Sequence, residues 1–218
     1  MQKRRYNGLD RAILGFDRVL SGLLPEQTGT GRRVPAATGQ GQAPPTALNA
    51  EEQRHAAGLM RVNHAGEVAA QGLYHGQAWV ARREAVRDSM LQAAREEGDH
   101  LHWCARRLQG LDSRTSYLDP LWYLGSFGLG SVAGLLGDRW SLGFIVETEQ
   151  QVEAHLDKHL DLLPENDVES RAILQQIKQD EAQHAATAMQ AGGRELPDVI
   201  KQGMRLCAGI MTRTAYYL

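Results

Sequence analysis

Two short segments of the chain contain a glutamate and a histidine three residues apart. EEGDHLHW contains Glu97 and His100, and DEAQHAA contains Glu181 and His184. Residues at this spacing are neighbours on a helix surface, with Cβ atoms about 5–6 Å apart, so the two side chains can pair or bind one ion together. One such segment is usually an ion pair on a helix surface, but two in one chain favour a common metal site.

Each of these segments follows another glutamate at a similar distance along the chain. Glu67 precedes Glu97 by 30 residues, and Glu149 precedes Glu181 by 32 residues. Apolar residues at helical spacing share a face with each of these glutamates, so we expect the faces to be buried. The chain therefore repeats one unit, a helix with an inward glutamate followed by a helix with an inward Glu-x-x-His pair.

The inward glutamate of the second half must be chosen among the three acids of ETEQQVE. Glu149 lies on one helical stripe with apolar residues between Leu142 and Leu163, whereas Glu147 falls on the side of Gln151. Residues two apart on a helix do not face each other. We therefore expect Glu149, and not Glu147, to face the core.

Four buried carboxylates and two imidazoles need a counter-charge, since each unpaired buried charge costs several kcal/mol or shifts its pKa until it is neutral. Two divalent cations balance the charge of four carboxylates. Carboxylate and imidazole ligands suit iron or manganese, whereas structural zinc sites are rich in thiolate ligands. This ligand set is that of di-metal four-helix bundles. The predicted ligands are Glu67, Glu97, His100, Glu149, Glu181 and His184. The alternative, six unrelated surface residues, does not explain their matching positions in the two halves.

Helical periodicity covers most of the chain and no convincing alternating strand is present, which predicts an all-α fold. Asn49 with Glu52 and Asn166 with Glu169 are the expected N-cap pairs, and Pro197 suits the first turn of the last helix. The helices of the main domain are expected at about residues 50–85, 88–107, 120–137, 141–163, 167–192 and 197–217. Four of them would form the bundle that positions the six ligands.

The composition indicates one folded domain with two segments before it. Residues 50–218 form the expected domain, residues 25–49 contain four of the seven prolines and are typical of a linker, and residues 1–24 predict a basic amphipathic helix. A net charge of −2 over 218 residues argues against a general nucleic-acid binder, although the first segment favours an anionic surface.

Cys104 and Cys207 lack the spacing of a disulfide scaffold, which indicates a reducing compartment.

With the six residues in place, the sequence resembles the demethoxyubiquinone hydroxylase family, membrane-associated di-iron monooxygenases of ubiquinone biosynthesis. The resemblance rests on LMRVNHAGEVAAQGLYHGQA, EEGDHLHWC, SLGFIVETEQQVEAHLDKHL and IKQDEAQHAA. It implies a ferritin-like four-helix bundle with a di-iron centre and additional membrane-facing helices. The family's ligands fall on the same six positions. His155 matches a further family histidine that could hydrogen-bond a ligand carboxylate, and the alternative is a partly exposed helix histidine.

The resemblance implies a monooxygenase that hydroxylates 2-polyprenyl-3-methyl-6-methoxy-1,4-benzoquinol, with two iron ions per chain and dioxygen as co-substrate. It implies a peripheral protein on the cytoplasmic face of the bacterial cell (inner) membrane, and it leaves other ubiquinone-biosynthesis proteins open as partners. The sequence contains no G-x-G-x-x-G fingerprint, so electrons must come from the quinol, a small reductant or another protein. The alternatives are a ferritin-type iron-oxidising or storage protein and a lipid-binding scaffold with a structural metal.

Residues 120–137 bear on how such a protein would meet a membrane, because they contain five glycines and no charge. The segment is at the lower edge of a spanning length. A span would pull the next ligand helix out of the bundle, so we expect a helix that packs on the bundle and lines the entrance for the prenyl tail. A membrane span is the alternative. The last helix, both apolar and basic, is expected either at the same interface or packed on the domain.

Overall fold

The computed structural model describes residues 29–36 and 47–218, and the expected basic helix over residues 1–24 lies outside them, as does most of the expected linker. The described chain contains six helices and no strand, which confirms the all-α class. The helices are α1 (Ala50–Val80), α2 (Glu84–Gly110), α3 (Asp119–Leu135), α4 (Asp138–Leu162), α5 (Val168–Gln190) and α6 (Asp198–Ala215). Helices α1, α2, α4 and α5 form the bundle, α3 packs along α1, and α6 lies against α1 and α4.

Capping interactions set where the bundle helices begin. The side chain of Asn49 accepts hydrogen bonds from two backbone N–H groups of the first turn of α1, and the side chain of Glu52 accepts one from the N–H of Asn49. The expected capping box is therefore confirmed. The N-cap of α5 is Asp167 rather than the expected Asn166, because the carboxylate of Asp167 accepts a hydrogen bond from the N–H of Ser170.

The turn between α1 and α2 comes earlier than the sequence pattern suggests, since α1 ends at Val80 and not near Ala85. The cause is a contact with the first residue of α4. The carboxylate of Asp138 accepts hydrogen bonds from the backbone N–H groups of Arg82, at 3.0 Å, and Arg83, at 3.1 Å. These bonds satisfy donors that a continuing helix would have used internally, and helical periodicity gives no sign of such a long-range partner.

The bundle interior consists of two apolar clusters with a polar layer between them. The first cluster includes Met60, Trp103 and Leu156. The second includes Met90 and Val146. Burying each large apolar side chain contributes about 1.5–3 kcal/mol, so the two clusters hold the four helices in register around the polar layer.

Helix α3 is the apolar, glycine-rich segment of the sequence, and it runs parallel to α1 at very short range. A Cβ atom on Gly76 would lie 2.1 Å from the carbonyl oxygen of Phe127, and one on Gly130 would lie 2.3 Å from the carbonyl oxygen of Leu73. Only glycine allows backbones to approach so closely. The expected packing of this segment on the bundle is confirmed. Within the described part of the chain, no helix combines the length and the apolar character needed to cross a membrane.

Helices α3 and α6 expose large apolar side chains. We use the name α3 stripe for Leu121, Leu124, Leu129, Val132 and Leu135, and the name α6 stripe for Val199, Leu206 and Ile210, all of them exposed. Residues seven and eleven positions apart lie on the same side of a helix, so the α6 stripe forms a single line. Extended apolar surface of this kind usually marks an interaction site.

Candidate metal centre

The six predicted ligands lie together in the polar layer between the two apolar clusters. They are Glu67 on α1, Glu97 and His100 on α2, Glu149 on α4, and Glu181 and His184 on α5. The four glutamates and His100 are buried, and the side chain of His184 is 9% exposed. Their potential ligand atoms form two overlapping groups, each within 4.8 Å. The structure therefore brings all six residues together, and their binding of a metal stays a prediction.

Both histidines direct the same ring nitrogen at the carboxylates. His100 Nδ1 lies 3.1 Å from Glu97 Oε2 and 3.2 Å from Glu181 Oε1. His184 Nδ1 lies 3.0 Å from Glu181 Oε2 and 3.5 Å from Glu97 Oε1. Glu97 and Glu181 therefore each approach both histidines and lie between the two rings. Glu67 lies on the His100 side, 3.7 Å from Nδ1.

The outer ring nitrogen of each histidine contacts an acidic residue on the opposite Glu-x-x-His helix. His100 Nε2 lies 2.9 Å from Asp180 Oδ2, and His184 Nε2 lies 2.7 Å from Glu96 Oε2. An Nε2 proton donated to these acids leaves the Nδ1 lone pair available to a metal ion. Neither acid was predicted from the sequence. The available signal was that each directly precedes the glutamate of its own Glu-x-x-His segment.

Burial and neighbouring charges shift the pKa values of the cluster in opposite directions. Burial, reinforced by neighbouring carboxylates, raises the pKa of Glu97 and of Glu149 well above the usual range. Burial also acts on Glu181, but hydrogen bonds from the two histidines outweigh it and lower its pKa to about 2. Burial opposes the charge on His184, but a hydrogen bond to Glu181 and the nearby carboxylates raise its pKa to about 11. Protons and metal cations therefore compete for the same atoms.

Two buried carboxylate oxygens of the cluster, Glu97 Oε1 and Glu149 Oε2, have no hydrogen-bond partner within the described chain. An unsatisfied buried polar group costs about 1–3 kcal/mol, and more when it is charged, so these oxygens favour a bound cation. Carboxylate oxygens together with two imidazole nitrogens match the preferences of iron or manganese. The residues present therefore fit a pair of such ions.

Comparison with known proteins identifies the family of this chain. Residues 54–215, which include all six clustered residues, match the family described as Ubiquinone biosynthesis protein COQ7. The chain belongs to the COQ7 family. The resemblance found in the sequence motifs is thereby confirmed.

Curated relatives with the name 3-demethoxyubiquinol 3-hydroxylase cover nearly the whole chain. The protein of Acinetobacter baumannii is 51% identical over 215 residues, which are 99% of this chain and 100% of the relative. The protein of Nitrosococcus oceani is 51% identical over 218 residues and covers 100% of both chains. The protein of Xanthomonas oryzae pv. oryzae is 54% identical over 215 residues, which are 99% of this chain and 97% of the relative.

A crevice between α1 and α4 leads to Glu149 in this COQ7-family bundle. The crevice is narrow, with no room for a water molecule in this structure, and it is lined by Ala70, Leu73, Tyr74, Gln77, Phe144, Ile145, Thr148 and Glu149. The hydroxyl of Tyr74 donates a hydrogen bond to Glu149 Oε1 at 2.5 Å. Burial, with the charges of Glu149 and Glu97, raises the pKa of Tyr74 well above its usual value, so the phenol keeps its proton. Tyr74 is not among the residues that were predicted for the site from the sequence.

His155, the seventh residue singled out in the sequence, lies beside His159 on α4, with ring centroids 3.9 Å apart. Its Nε2 atom is buried and has no hydrogen-bond partner within the described chain. Burial lowers the pKa of His155 to about 4, so the ring is neutral at neutral pH. The predicted hydrogen bond from His155 to a ligand carboxylate stays a prediction.

Proposed function

We propose that this chain is a di-iron monooxygenase that hydroxylates 2-polyprenyl-3-methyl-6-methoxy-1,4-benzoquinol, the demethoxyubiquinol of ubiquinone biosynthesis, with dioxygen. The observation that supports it best is the pairing of two Glu-x-x-His helices, in which Glu97 and Glu181 lie between two inward Nδ1 atoms. The names of the relatives supply the substrate, since they are 3-demethoxyubiquinol 3-hydroxylases over nearly the full length.

The chain's own residues would build a dry site with two metal positions. Glu67 and His100 would complete one position, and Glu149 and His184 the other. When bound, the iron pair supplies the activation of dioxygen. The protein would hold the ligands, since each Nε2 atom has a carboxylate partner and Tyr74 holds Glu149 by a hydrogen bond. The apolar clusters on both sides would keep water away from the reacting groups.

The crevice beside Glu149 is our proposed route for the quinol ring, and its walls would have to move apart to admit the ring because no water molecule fits between them in this structure. Its walls come from α1 and α4 and are largely apolar, which suits an aromatic ring with a prenyl tail. We expected α3 to line the entrance, but no α3 residue lines this crevice. Helix α3 instead supports the α1 wall, where Gly130 packs on the backbone of Leu73.

The apolar stripes of α3 and α6 are our proposed contact with the membrane. The prenyl tail of the substrate leaves lipid reluctantly, so the enzyme has to meet it at the bilayer surface. The α6 stripe has Arg213 on the same helix, the arrangement of interfacial amphipathic helices. We propose peripheral binding at the cytoplasmic face of the bacterial cell membrane.

Oxygen uptake by the iron-loaded protein, measured with and without the quinol, tests this function. The hydroxylase predicts uptake that depends on the quinol, together with one hydroxylated quinol per dioxygen consumed. Uptake that depends on ferrous iron alone would support a ferritin-type iron-oxidising protein instead. The absence of both would support a scaffold whose metal is structural.

A further inference from the structure

A short segment before the bundle crosses the outer side of the metal centre. We use the name strap for residues 29–36. The hydroxyl of Thr30 and the N–H of Gly31 donate hydrogen bonds to the carboxylate of Asp99 on α2. The indole N–H of Trp103 donates to the carbonyl oxygen of Arg32 at 3.3 Å. The strap is thus attached to the helix that contains the ligands Glu97 and His100.

The guanidinium of Arg32 lies between α2 and α5, directly outside His100. Its Nη2 atom lies 2.7 Å from Asp180 Oδ2, and its Nε atom lies 3.3 Å from Asp99 Oδ2. The same Asp180 oxygen is 2.9 Å from His100 Nε2. Arg32 also lies over the ring of Trp103, 4.8 Å from its centroid. One oxygen therefore accepts from both Arg32 and His100, and the arginine holds it in place.

Within the described chain, the other half of the centre has weaker support, because Arg32 acts on Glu96 through its charge and not through a hydrogen bond. Glu96, the partner of His184, accepts a further hydrogen bond from Gln92 of its own helix. Within the described chain, no lysine or arginine lies within ion-pair distance of Glu96. The side chain of Glu96 is 31% exposed, against 16% for Asp180. The two halves therefore have the same kinds of predicted ligand but differ in the residues that fix the outer carboxylates Asp180 and Glu96.

We propose that Arg32 is a positioning residue of the metal centre. It holds Asp180 against His100, so the metal position at His100 binds its ion more tightly than the position at His184 does. The inference rests on the proposed di-metal function. A carboxylate that orients a ligand histidine contributes to metal affinity, and an arginine that fixes this carboxylate acts through it. The bidentate shape of the guanidinium suits this place, because it reaches Asp99 and Asp180 at once.

Release of Fe²⁺ from the full-length protein to a colorimetric ferrous chelator, measured without oxygen, tests the proposal. The parent protein, loaded with two irons, should release them in two phases of equal amplitude. Arg32→Gln should speed the slow phase by about 10- to 100-fold, the usual effect of losing an outer partner of a ligand, and change the fast phase much less, because Arg32 acts on Glu96 only through its charge. Arg32→Lys should release iron in the slow phase at a rate between those of the parent and Arg32→Gln, because lysine keeps the positive charge but lacks the forked guanidinium. Arg33→Gln, a change at the exposed neighbouring arginine, is the matched control and should leave both phases unchanged.

A second variant moves the strap without changing any charge. A Cβ atom on Gly29 would lie 2.3 Å from Asp99 Oδ1, so Gly29→Ala should displace the strap and also speed the slow phase. Mössbauer spectra of the ⁵⁷Fe-loaded Arg32→Gln protein should show a change in one of two iron signals. Equal acceleration of both phases would show a general loss of structure and overturn the proposal, as would an Arg32→Gln protein that behaves like its parent. Failure of the parent to bind two irons would instead overturn the proposed function.

Discussion

Glu147 and Glu149 lie two residues apart on α4 and face opposite sides of it. Glu149 accepts a hydrogen bond from the hydroxyl of Tyr74 inside the metal centre. Glu147 lies 3.5 Å from the ammonium of Lys201 on α6, and its carboxylate accepts a hydrogen bond from Gln151. Both are buried, so burial alone does not separate the two roles. Glu149 faces the buried carboxylate–histidine cluster, and Glu147 attaches α6 to the bundle.

Replacement of these two acids should separate metal binding from helix docking. Glu149→Ala should lose most of the bound iron, because it removes a proposed ligand and the partner of Tyr74. Glu147→Ala should keep the iron and weaken the attachment of α6, since Lys201 loses a carboxylate. Iron analysis of the purified variants, with limited proteolysis at α6, measures both effects. Equal iron loss in the two variants would contradict the assignment.

The clustering of the six predicted ligands could be foreseen from the sequence because each lies on a helical face with apolar neighbours, and their binding of a metal stays a prediction. The same periodicity separated Glu149 from Glu147. It gave no sign that each of the acids Glu96 and Asp180 contacts the histidine of the opposite helix. These contacts depend on how α2 and α5 lie side by side. The strap has no periodicity at all, and its composition indicated only a linker, whereas Gly31 and Asp99 are in contact across 68 positions of sequence.

Single aspartates in the two apolar stripes should reduce binding to membranes. The variants are Val132→Asp in the α3 stripe and Leu206→Asp in the α6 stripe, and each removes an apolar side chain that could contact lipid. Val132 is 59% exposed and Leu206 is 69% exposed. Losing one large apolar contact of about 1.5–3 kcal/mol corresponds to a fall of about 10- to 100-fold in partition onto anionic vesicles. Vesicle co-sedimentation measures this. Met189→Asp, at an exposed methionine on α5, adds the same charge elsewhere and should bind like the parent. Unchanged binding of both stripe variants would rule out this surface.

A larger side chain in the crevice should hinder the quinol without removing the metals. Thr148 lines the crevice beside Glu149, and within the described chain its hydroxyl donates a hydrogen bond to the Phe144 carbonyl of its own helix. Thr148→Phe should lower kcat/KM for the quinol by about 10- to 100-fold, the cost of forcing an extra ring into a packed wall, with iron content unchanged. Thr148→Val has a similar volume to threonine and should stay close to the parent. A Thr148→Phe enzyme with parental kcat/KM would place the route elsewhere.

Metal binding should strengthen as the pH rises. Hydrogen bonds and carboxylate charges raise the pKa of His184 to about 11, and the same causes raise that of His100 well above its usual value. At neutral pH both rings are therefore protonated before metal binds, and the metal must displace these protons. The apparent affinity for Fe²⁺ should then rise about tenfold per pH unit for each proton displaced. Titration in weakly buffered solution should show at least two protons released per pair of ions. An affinity independent of pH would contradict this charge state.

Loss of either predicted ligand histidine should abolish hydroxylation, because Glu97 and Glu181 each approach both histidines and, in the proposed function, would serve both metal positions. His100→Ala removes the Nδ1 atom closest to Glu97, and His184→Ala removes the one closest to Glu181. The double variant should be no worse than either single variant, as for residues that act as one unit. Cells with either change should accumulate the demethoxyquinone, and mass spectrometry of extracted quinones detects it. A folded His184→Ala protein that binds one iron and hydroxylates at the parental rate would show that the centre at Glu97 and His100 works alone.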